Sequence, residues 1–505
     1  MPALQNGPKL RLGTEILVLL ATALAAAVFY PRFSLNHDAS WYLTGTGMFL
    51  DGGRLYHDIV EINPPLAFYL TIPPVWIARA VDGDPTTAYF LYVIALALVV
   101  SVWSLLLLEA ADLPPNRRAM LVAAVAVVLF VLPIAEFGQR EHLLLIFAMP
   151  FLIGQVLRPA LPGLGPMHQV ALALAASLGL LLKPYFLIIP ACIVVVRLFQ
   201  ERTFRAAFDP GMLALAGASI LYVAFIILVH PAYFDVIVPV ARVVYAAYGM
   251  GAADVLLKFE IFAAMLVVMA GLRSNRGVHG QVSQLFLGAS IGSAAVYLVQ
   301  FKGWNYHILP LSAWAILAST WLAARSDQQA GHRMFEAKII PLAALMIVGL
   351  QIGRGPYQSA TTAVFAPFVK TRHERVLVLS TNVWAAFPFV NEVSKGWASR
   401  YPAQWLIPGT YDCLMEKSAS MPAKGCKDEL IILREARKTV IDDFIKYKPD
   451  IVFIDERDVK SYFRSGRFDY LDFLDQDPKF EFFLTCYRRI TTVPNYGVFE
   501  RICTV

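Results

Sequence analysis

Four carboxylates crowd the stretch that follows the first apolar run: Asp38, Asp51, Asp58 and Glu61. A carboxylate at a membrane surface is costly unless it is solvated or paired, so each one is a candidate for function. Asp51 reads most simply as a solvated loop acid. Asp38 stands where the apolar run ends and a helical pattern begins, so it can cap the helix starting at Ala39. Capping does not exclude proton transfer. Cations supply the complementary chemistry. The short loop Glu136-Phe137-Gly138-Gln139-Arg140-Glu141-His142 holds four ionisable residues, more than a tight turn needs. Lys183-Pro184-Tyr185 is a whole connection between two apolar runs, and Lys302-Gly303-Trp304-Asn305-Tyr306-His307 is another of the same kind. A lone lysine near the end of a span ordinarily snorkels to the headgroups. Three basic loops on one face exceed that need. Lys183, Lys302 and Arg140 together would make an anion site suited to phosphate or pyrophosphate.

The elements that position these groups are apolar. The chain has 505 residues, 58% hydrophobic and 16% charged, whereas a soluble chain carries roughly 25% charged residues. Apolar runs lie at 12–30, 89–111, 119–132, 143–157, 170–182, 185–199, 212–229, 255–272, 285–300, 308–324 and 339–350. A span needs about 20 mostly apolar residues, and the shorter runs gain a turn from their flanks. In lipid each must be a helix, because no water satisfies its backbone groups. The expected class is a polytopic α-helical membrane protein with about eleven crossings. The net charge of +6 reflects Lys and Arg in flanking loops rather than nucleic-acid binding. With Lys9 and Arg11 in the cytoplasm, the inside loops hold Arg117 and Arg118, Arg158, Arg197 with Arg202 and Arg205, Arg273, Arg276, Arg325, Arg333 and Lys338. That bias follows the positive-inside rule. An odd number of crossings then leaves the C-terminal domain outside. As an alternative for the first run, the small residues at 25–27 resemble a cleavage site, which would make 12–27 a signal peptide.

The first outer loop, 31–86, is too long and too apolar for a simple connection. Residues 39–50 have helical spacing and stop at Gly52-Gly53. Pro64-Pro65 opens a second apolar stretch to Ala80, broken by Pro73-Pro74. Both read as helices along the outer leaflet; the alternative is that 65–80 crosses the membrane. The segment 230–260, with Tyr233, Arg242, Tyr245 and Tyr248, reads equally as a cover over a lipid-linked substrate or as an aromatic belt.

The composition changes after Gly355. Residues 1–355 form the expected membrane domain and 356–505 an expected α/β soluble domain. Strands are predicted at 375–380 and 450–455, a helix at 429–448, and a hairpin of 480–490 with 496–502. The domain shows no G-x-G-x-x-G, no P-loop and no zinc spacing. It holds Cys413, Cys426, Cys486 and Cys503, while Cys192 is mid-span. Cysteines in an oxidising compartment tend to pair. Three pairings are formally open. A turn at 493–496 sets 486 opposite 503, favouring Cys486–Cys503 with Cys413–Cys426; the alternative is free buried thiols.

Asp38 after the first run, then Gly52-Gly53-Arg54-Leu55-Tyr56-His57-Asp58, then Glu61-Ile62-Asn63-Pro64-Pro65-Leu66 resemble the GT-C glycosyltransferases. The similar branch is that of protein O-mannosyltransferases and lipid A aminoarabinose transferases. The motif covers about the first 110 residues of the chain, and the topology is similar over the rest. The resemblance implies transfer of a sugar from a polyprenyl-phosphate donor to a glycan, lipid or protein acceptor at the periplasmic face of a bacterial inner membrane. It makes Asp38 the catalytic acid/base, with Glu61 and Asp58 as the accompanying acids. Arg140, Lys183 and Lys302 would hold the phosphate, with Glu141, His142, Tyr306 and His307 beside them. A single carboxylate base with direct displacement predicts inversion. A divalent ion through Asp38, Asp58 and His307 is conceivable, without any visible metal spacing. The chain departs from the aminoarabinose pattern at Ile62 and Asn63, where an acid and a lysine stand, and from the mannosyltransferase pattern at Ala39. The competing class is a transporter or lipid flippase, which would show internal repeats and mid-membrane charges; a third is a scaffold whose loop acids are replaceable. The enzyme expectation requires Asp38 and the distant cations to share a pocket.

Overall fold

The computed structural model describes residues 9–272, 277–324, 338–411, 426–463 and 466–503. Arg273, Arg276, Arg325, Arg333 and Cys413 lie outside the described residues. In chain order the helices are α1 (Lys9–Phe29), α2 (His37–Leu50), α3 (Leu66–Ala80), α4 (Pro85–Ala110), α5 (Pro115–Ala126), α6 (Arg140–Val156), α7 (Pro166–Leu180), α8 (Ile188–Glu201), α9 (Pro210–Val229), α10 (Val238–Val244), α11 (Ala252–Leu256), α12 (Phe259–Leu272), α13 (Gly277–Gln300), α14 (Leu309–Ala323) and α15 (Ile340–Arg354). Five helical stretches among the described residues are long and apolar enough to cross a membrane: Gly13–Arg32, Pro85–Ala110, Pro184–Glu201, Pro210–Val229 and Gly277–Gln300. The other apolar helices are shorter, and the expected number of eleven crossings is larger than these five. Side chains on α9 show why lipid is the natural surrounding: Leu221 is 72% and Leu228 80% exposed. In water such surface would be a large apolar patch; in a bilayer it is solvated by acyl chains. The protein is a membrane protein.

Contacts divide the chain into two compact units. The membrane unit comprises Met1–Phe33, Ile77–Ala224 and Met250–Tyr357. Its polar pairs sort by helix end. Arg118, at the start of α5, pairs with Glu15 of α1 at 3.0 Å and with Glu109 at the end of α4. Arg197, near the end of α8, bonds Asp209 at 2.5 Å and Gln155 at 2.7 Å. Arg117 donates to the Ala324 carbonyl at 3.1 Å. These basic residues occupy the ends predicted to face the cytoplasm. Each buried guanidinium there has a partner, as burial requires.

The second unit joins Ser34–Trp76 and Phe225–Gly249 to Gln358–Val505. The boundary therefore differs from a division at Gly355: the first loop and the segment after α9 pack with the C-terminal domain. The Val60 amide donates to the Arg400 carbonyl at 2.7 Å. Lys446 pairs with Asp58 at 2.9 Å, and the Tyr248 hydroxyl donates to the Trp405 carbonyl at 3.0 Å.

Within this unit five strands form one mixed sheet in the order β2-β1-β3-β5-β4. They are β1 (Arg375–Leu379), β2 (Gly396–Trp397), β3 (Ile451–Asp455), β4 (Tyr487–Val493) and β5 (Tyr496–Arg501). β1 runs parallel to β2 and β3, and β5 is antiparallel to β3 and β4. All five residues of β3 are buried, as a central strand covered on both faces demands. The helix Lys427–Tyr447 follows β2 in the chain and leads into β3, within the long connection that the parallel pair β1 and β3 needs. Phe365 stacks on Phe453 of β3 at 4.2 Å.

The predicted hairpin needs a correction at its start. Residues Glu481–Cys486 are helical and the strand begins at Tyr487. Phe480, Phe483 and Tyr487 are three and four apart, so a helical turn stacks their rings at 4.9 Å each and turns them against Phe444. That burial outweighs the strand pattern of the same residues. The turn falls at 494–495, with Asn495 at φ 69°, so that Val493 faces Tyr496. A bulge between Arg489 and Thr491 then slips the register by one, and Cys486 accepts from the Ile502 amide rather than facing 503. Cys486 and Cys503 are nevertheless bonded, with Cα atoms 4.9 Å apart. Cys426 is also in a disulfide, and Cys192 is free. The Cys486–Cys503 bridge closes a separation of 17 residues, and loop closure of that size stabilises by about 3 kcal/mol. Cys503→Ser is expected to lower the thermal midpoint of the full-length protein in detergent, and an unchanged midpoint would show that the bridge constrains nothing.

Glu500, near the end of β5, gathers cations. Lys370 donates to it at 2.7 Å and His373 at 3.0 Å, with Arg372 also bonded. The Lys370 hydrogen bond leads in pulling its carboxyl from 4.5 to about 2. A depressed folded value means the stabilisation is complete above pH 4.5 and is lost as pH falls through about 2. Thermal melts of Glu500→Gln should therefore show a weaker pH dependence than wild type across that window.

Candidate functional site

The membrane unit brings the predicted binding residues together. Their placement begins with the turn before α6. The Tyr30 hydroxyl donates to the Phe130 carbonyl at 2.7 Å, and its ring stacks on Phe137 at 3.8 Å. Gly138 takes φ +81°, and a Cβ there would fall 2.5 Å from the Tyr89 ring. Only glycine serves both demands. Tyr89 donates to the Gly138 carbonyl at 2.6 Å. His142 is absorbed by the same turn: Nδ1 accepts from the Gly138 amide at 3.0 Å and Nε2 donates to the Leu129 carbonyl at 2.9 Å. It braces the loop rather than facing a ligand. The Gln139 side chain caps α6, and Arg140 and Glu141 follow in its first turn, both buried.

α7 packs closely on α6 at Gly179, where a Cβ would lie 3.0 Å from the Leu144 backbone. This approach carries Lys183, just beyond α7, onto Glu141. The Lys183 ammonium donates to Glu141 Oε1 at 2.6 Å, with the side chains 3% and 0% exposed. Lys183 also lies 5.3 Å from the centre of the Tyr306 ring. The turn after α13 places Lys302 over Trp304 at 4.7 Å and buries Tyr306 and His307. His307 Nε2 is 3.7 Å from Glu141 Oε1. Its Nδ1 and the second Glu141 oxygen are buried without a hydrogen-bond partner among the described residues. Burial, and then the charges of Lys183, Lys302 and Arg140, hold His307 well below the usual imidazole range. The charged form of the imidazole is thus disfavoured, with the Glu141 carboxylate beside it already paired to Lys183. Such a concentration of positive charge at a low-dielectric helix end can bind an oxyanion, with one imidazole N–H as a further donor.

The second unit holds Asp38, Asp58 and Glu61. α2 begins at His37, and its cap is Asn36, whose side chain accepts from the Asp38 amide at 3.1 Å. Asp38 is thus not the cap. It sits in the first turn, where the helix dipole favours an ionised carboxylate, with His37 Nε2 3.6 Å away. Sequence reasoning missed two neighbours. Asn391 clasps α2: Ser40 donates to its oxygen at 2.7 Å, and its amide donates to Thr44 at 3.1 Å. Tyr462 holds φ 70°, rare for a bulky residue and found where structure over-determines the backbone. Burial first, and then the Asp38 charge, raise its phenol to about 12. Nothing in the local pattern around Asn391 or Tyr462 signals these contacts.

Glu61 has both oxygens occupied, accepting from Trp41 Nε1 at 2.8 Å and from the Asn63 side chain at 2.5 Å. It ties α2 to the segment before α3. Asp58 is likewise engaged: the Lys446 hydrogen bond leads in lowering its carboxyl to about 2, with Arg54 also bonded. No group of three His, Cys, Asp or Glu side chains among the described residues could hold a metal.

No protein-family model matches the chain, and no curated protein matches it. Solved structures are similar to it, among them the following two. One is the Archaeoglobus fulgidus oligosaccharyltransferase in complex with zinc and sulfate, at 11% identity and TM-score 0.44, covering 87% of this chain and 68% of that one. The other is the arabinofuranosyltransferase AftD from Mycobacteria, at 13% identity and TM-score 0.44, covering 99% of this chain. The chain spans 40% of that enzyme's length.

Proposed function

We propose that this protein is a membrane glycosyltransferase that moves a sugar from a polyprenyl-phosphate donor to a cell-envelope acceptor at the periplasmic face. The observation that carries the reading is the buried cluster in which Lys183 pairs with Glu141 at 2.6 Å, His307 lies 3.7 Å from the same carboxylate oxygen, and the turn that carries His307 also sets Lys302 over Trp304. The resemblance of the 38–66 stretch to sugar transferases supports it. In the proposed reaction the acceptor hydroxyl attacks the anomeric carbon and the bond from that carbon to the phosphate oxygen breaks. Asp38 takes the hydroxyl proton. The lipid phosphate leaves with the electron pair, and the cations stabilise its charge. One displacement inverts the anomeric centre. Glu141 holds Lys183 in place, and Glu61 steadies α2 through Trp41.

The test is turnover of lipid-linked sugars by the purified full-length protein in detergent, read as acceptor-dependent release of lipid phosphate. Release with an inverted product is the expected result. Movement of the intact lipid across vesicles, with no bond broken, would replace the reading with that of a flippase.

A further inference from the structure

The second unit contains a cleft of about 460 Å³, within the roughly 300–1,000 Å³ typical of small-molecule sites. Four stretches wall it: 54–60, 236–240, 400–406 and one face of the helix Lys427–Tyr447. The first of these is the Gly-Gly-Arg-Leu-Tyr-His-Asp motif, to which the proposed chemistry assigns no contact with donor or proton. It contributes Arg54, Tyr56, His57 and Asp58 to the lining.

Two of the charged lining residues, Arg400 and Asp58, are already paired. Arg400 bonds Asp443 through Nε at 2.9 Å and through its own amide at 2.8 Å. Asp58 is held by Lys446 at 2.9 Å and by Arg54 at 3.4 Å. An ionic ligand would have to break these pairs to gain a partner. Tyr56, Tyr401 and Trp405 line the cleft as largely buried rings, and Val236 and Ile431 add exposed apolar surface. An acyl chain filling the cleft would desolvate the Arg54, His57 and Glu435 groups without bonding them, which costs free energy. A saccharide suits both kinds of wall. Its C–H faces lie on aromatic and aliphatic side chains, its hydroxyls exchange hydrogen bonds with fixed polar groups, and it needs no net charge.

We infer that this cleft binds the neutral saccharide portion of the acceptor. The inference rests on the sugar-transfer reading for the word acceptor, but its test does not. Saturation-transfer NMR on the purified full-length protein in nanodiscs would use maltotriose, mannotriose and arabinotriose as probes, with dodecanoate as the acyl probe. Ile431 is 50% exposed, and Ile445, on the same helix but outside the lining, is 47% exposed, so either position accepts arginine without loss of core. The expected result is binding of at least one trisaccharide, weakened about tenfold or more by Ile431→Arg and unchanged by Ile445→Arg. No trisaccharide binding to wild type, signal from dodecanoate alone, or equal binding by both variants would overturn the inference. Lipid-linked sugar turnover is measured separately on wild type: turnover with saccharide binding indifferent to Ile431→Arg sinks the cleft and leaves the transfer reading standing. Saccharide binding that obeys the variants without turnover does the reverse.

Discussion

Asp38→Asn is expected to reduce sugar transfer by about 10²–10⁴-fold, the usual contribution of a positioned base, while thermal stability and donor binding stay at wild-type levels. The amide keeps the carboxylate's shape but cannot take a proton. The site tolerates it, because the helix start is capped by Asn36 and α2 is held by Asn391 and by the Trp41–Glu61 bond. The comparison that decides the matter is single-turnover rate against donor affinity. Transfer at near wild-type rate would remove Asp38 from the chemistry, and loss of both together would make it a binding residue.

The second large effect concerns Lys183 and Glu141. Lys183→Ala leaves a fully buried carboxylate without its 2.6 Å partner, and breaking a buried pair in this way costs about 3–5 kcal/mol. Removing both partners leaves no orphan charge, so Lys183→Ala with Glu141→Ala should recover much of that stability. If Lys183 also holds the donor phosphate, the double variant regains its melting temperature without regaining turnover. Recovery of both would reduce Lys183 to a structural counter-ion. Failure to recover stability would mean that the two side chains are not energetically coupled, which a double-mutant cycle reads directly.

The carboxylates divide along similar lines. Asp58 and Glu61 share the first loop with Asp38, yet both already serve as partners, to Lys446 and to Trp41. Composition cannot tell a carboxylate that pairs from one that reacts. His142 makes the same point among the cations' neighbours: it follows Glu141 directly, but the Gly138 turn consumes both of its nitrogens.

Several features were legible before any coordinates. The apolar runs form helices, since a backbone in lipid has no other way to satisfy its hydrogen bonds. Helical spacing located α2 and the helix Lys427–Tyr447, and unbroken apolar runs located β1 and β3. Run length and periodicity are local properties, and local sequence carries them. Other outcomes were not marked by residue type or spacing. Asn36 capped α2 where Asp38 was the more obvious acid. Stacking of Phe480, Phe483 and Tyr487 turned the start of a predicted strand into helix, and a bulge moved Cys486 off the ladder position opposite 503. The joining of 34–76 and 225–249 to the C-terminal domain, which builds the cleft, has no local signature at all. A hydrogen-bond partner, a ring stack or a neutralising charge is chosen by which groups the folded chain brings within a few ångströms. Residue type and spacing nominate candidates for these roles, and only tertiary contact assigns them.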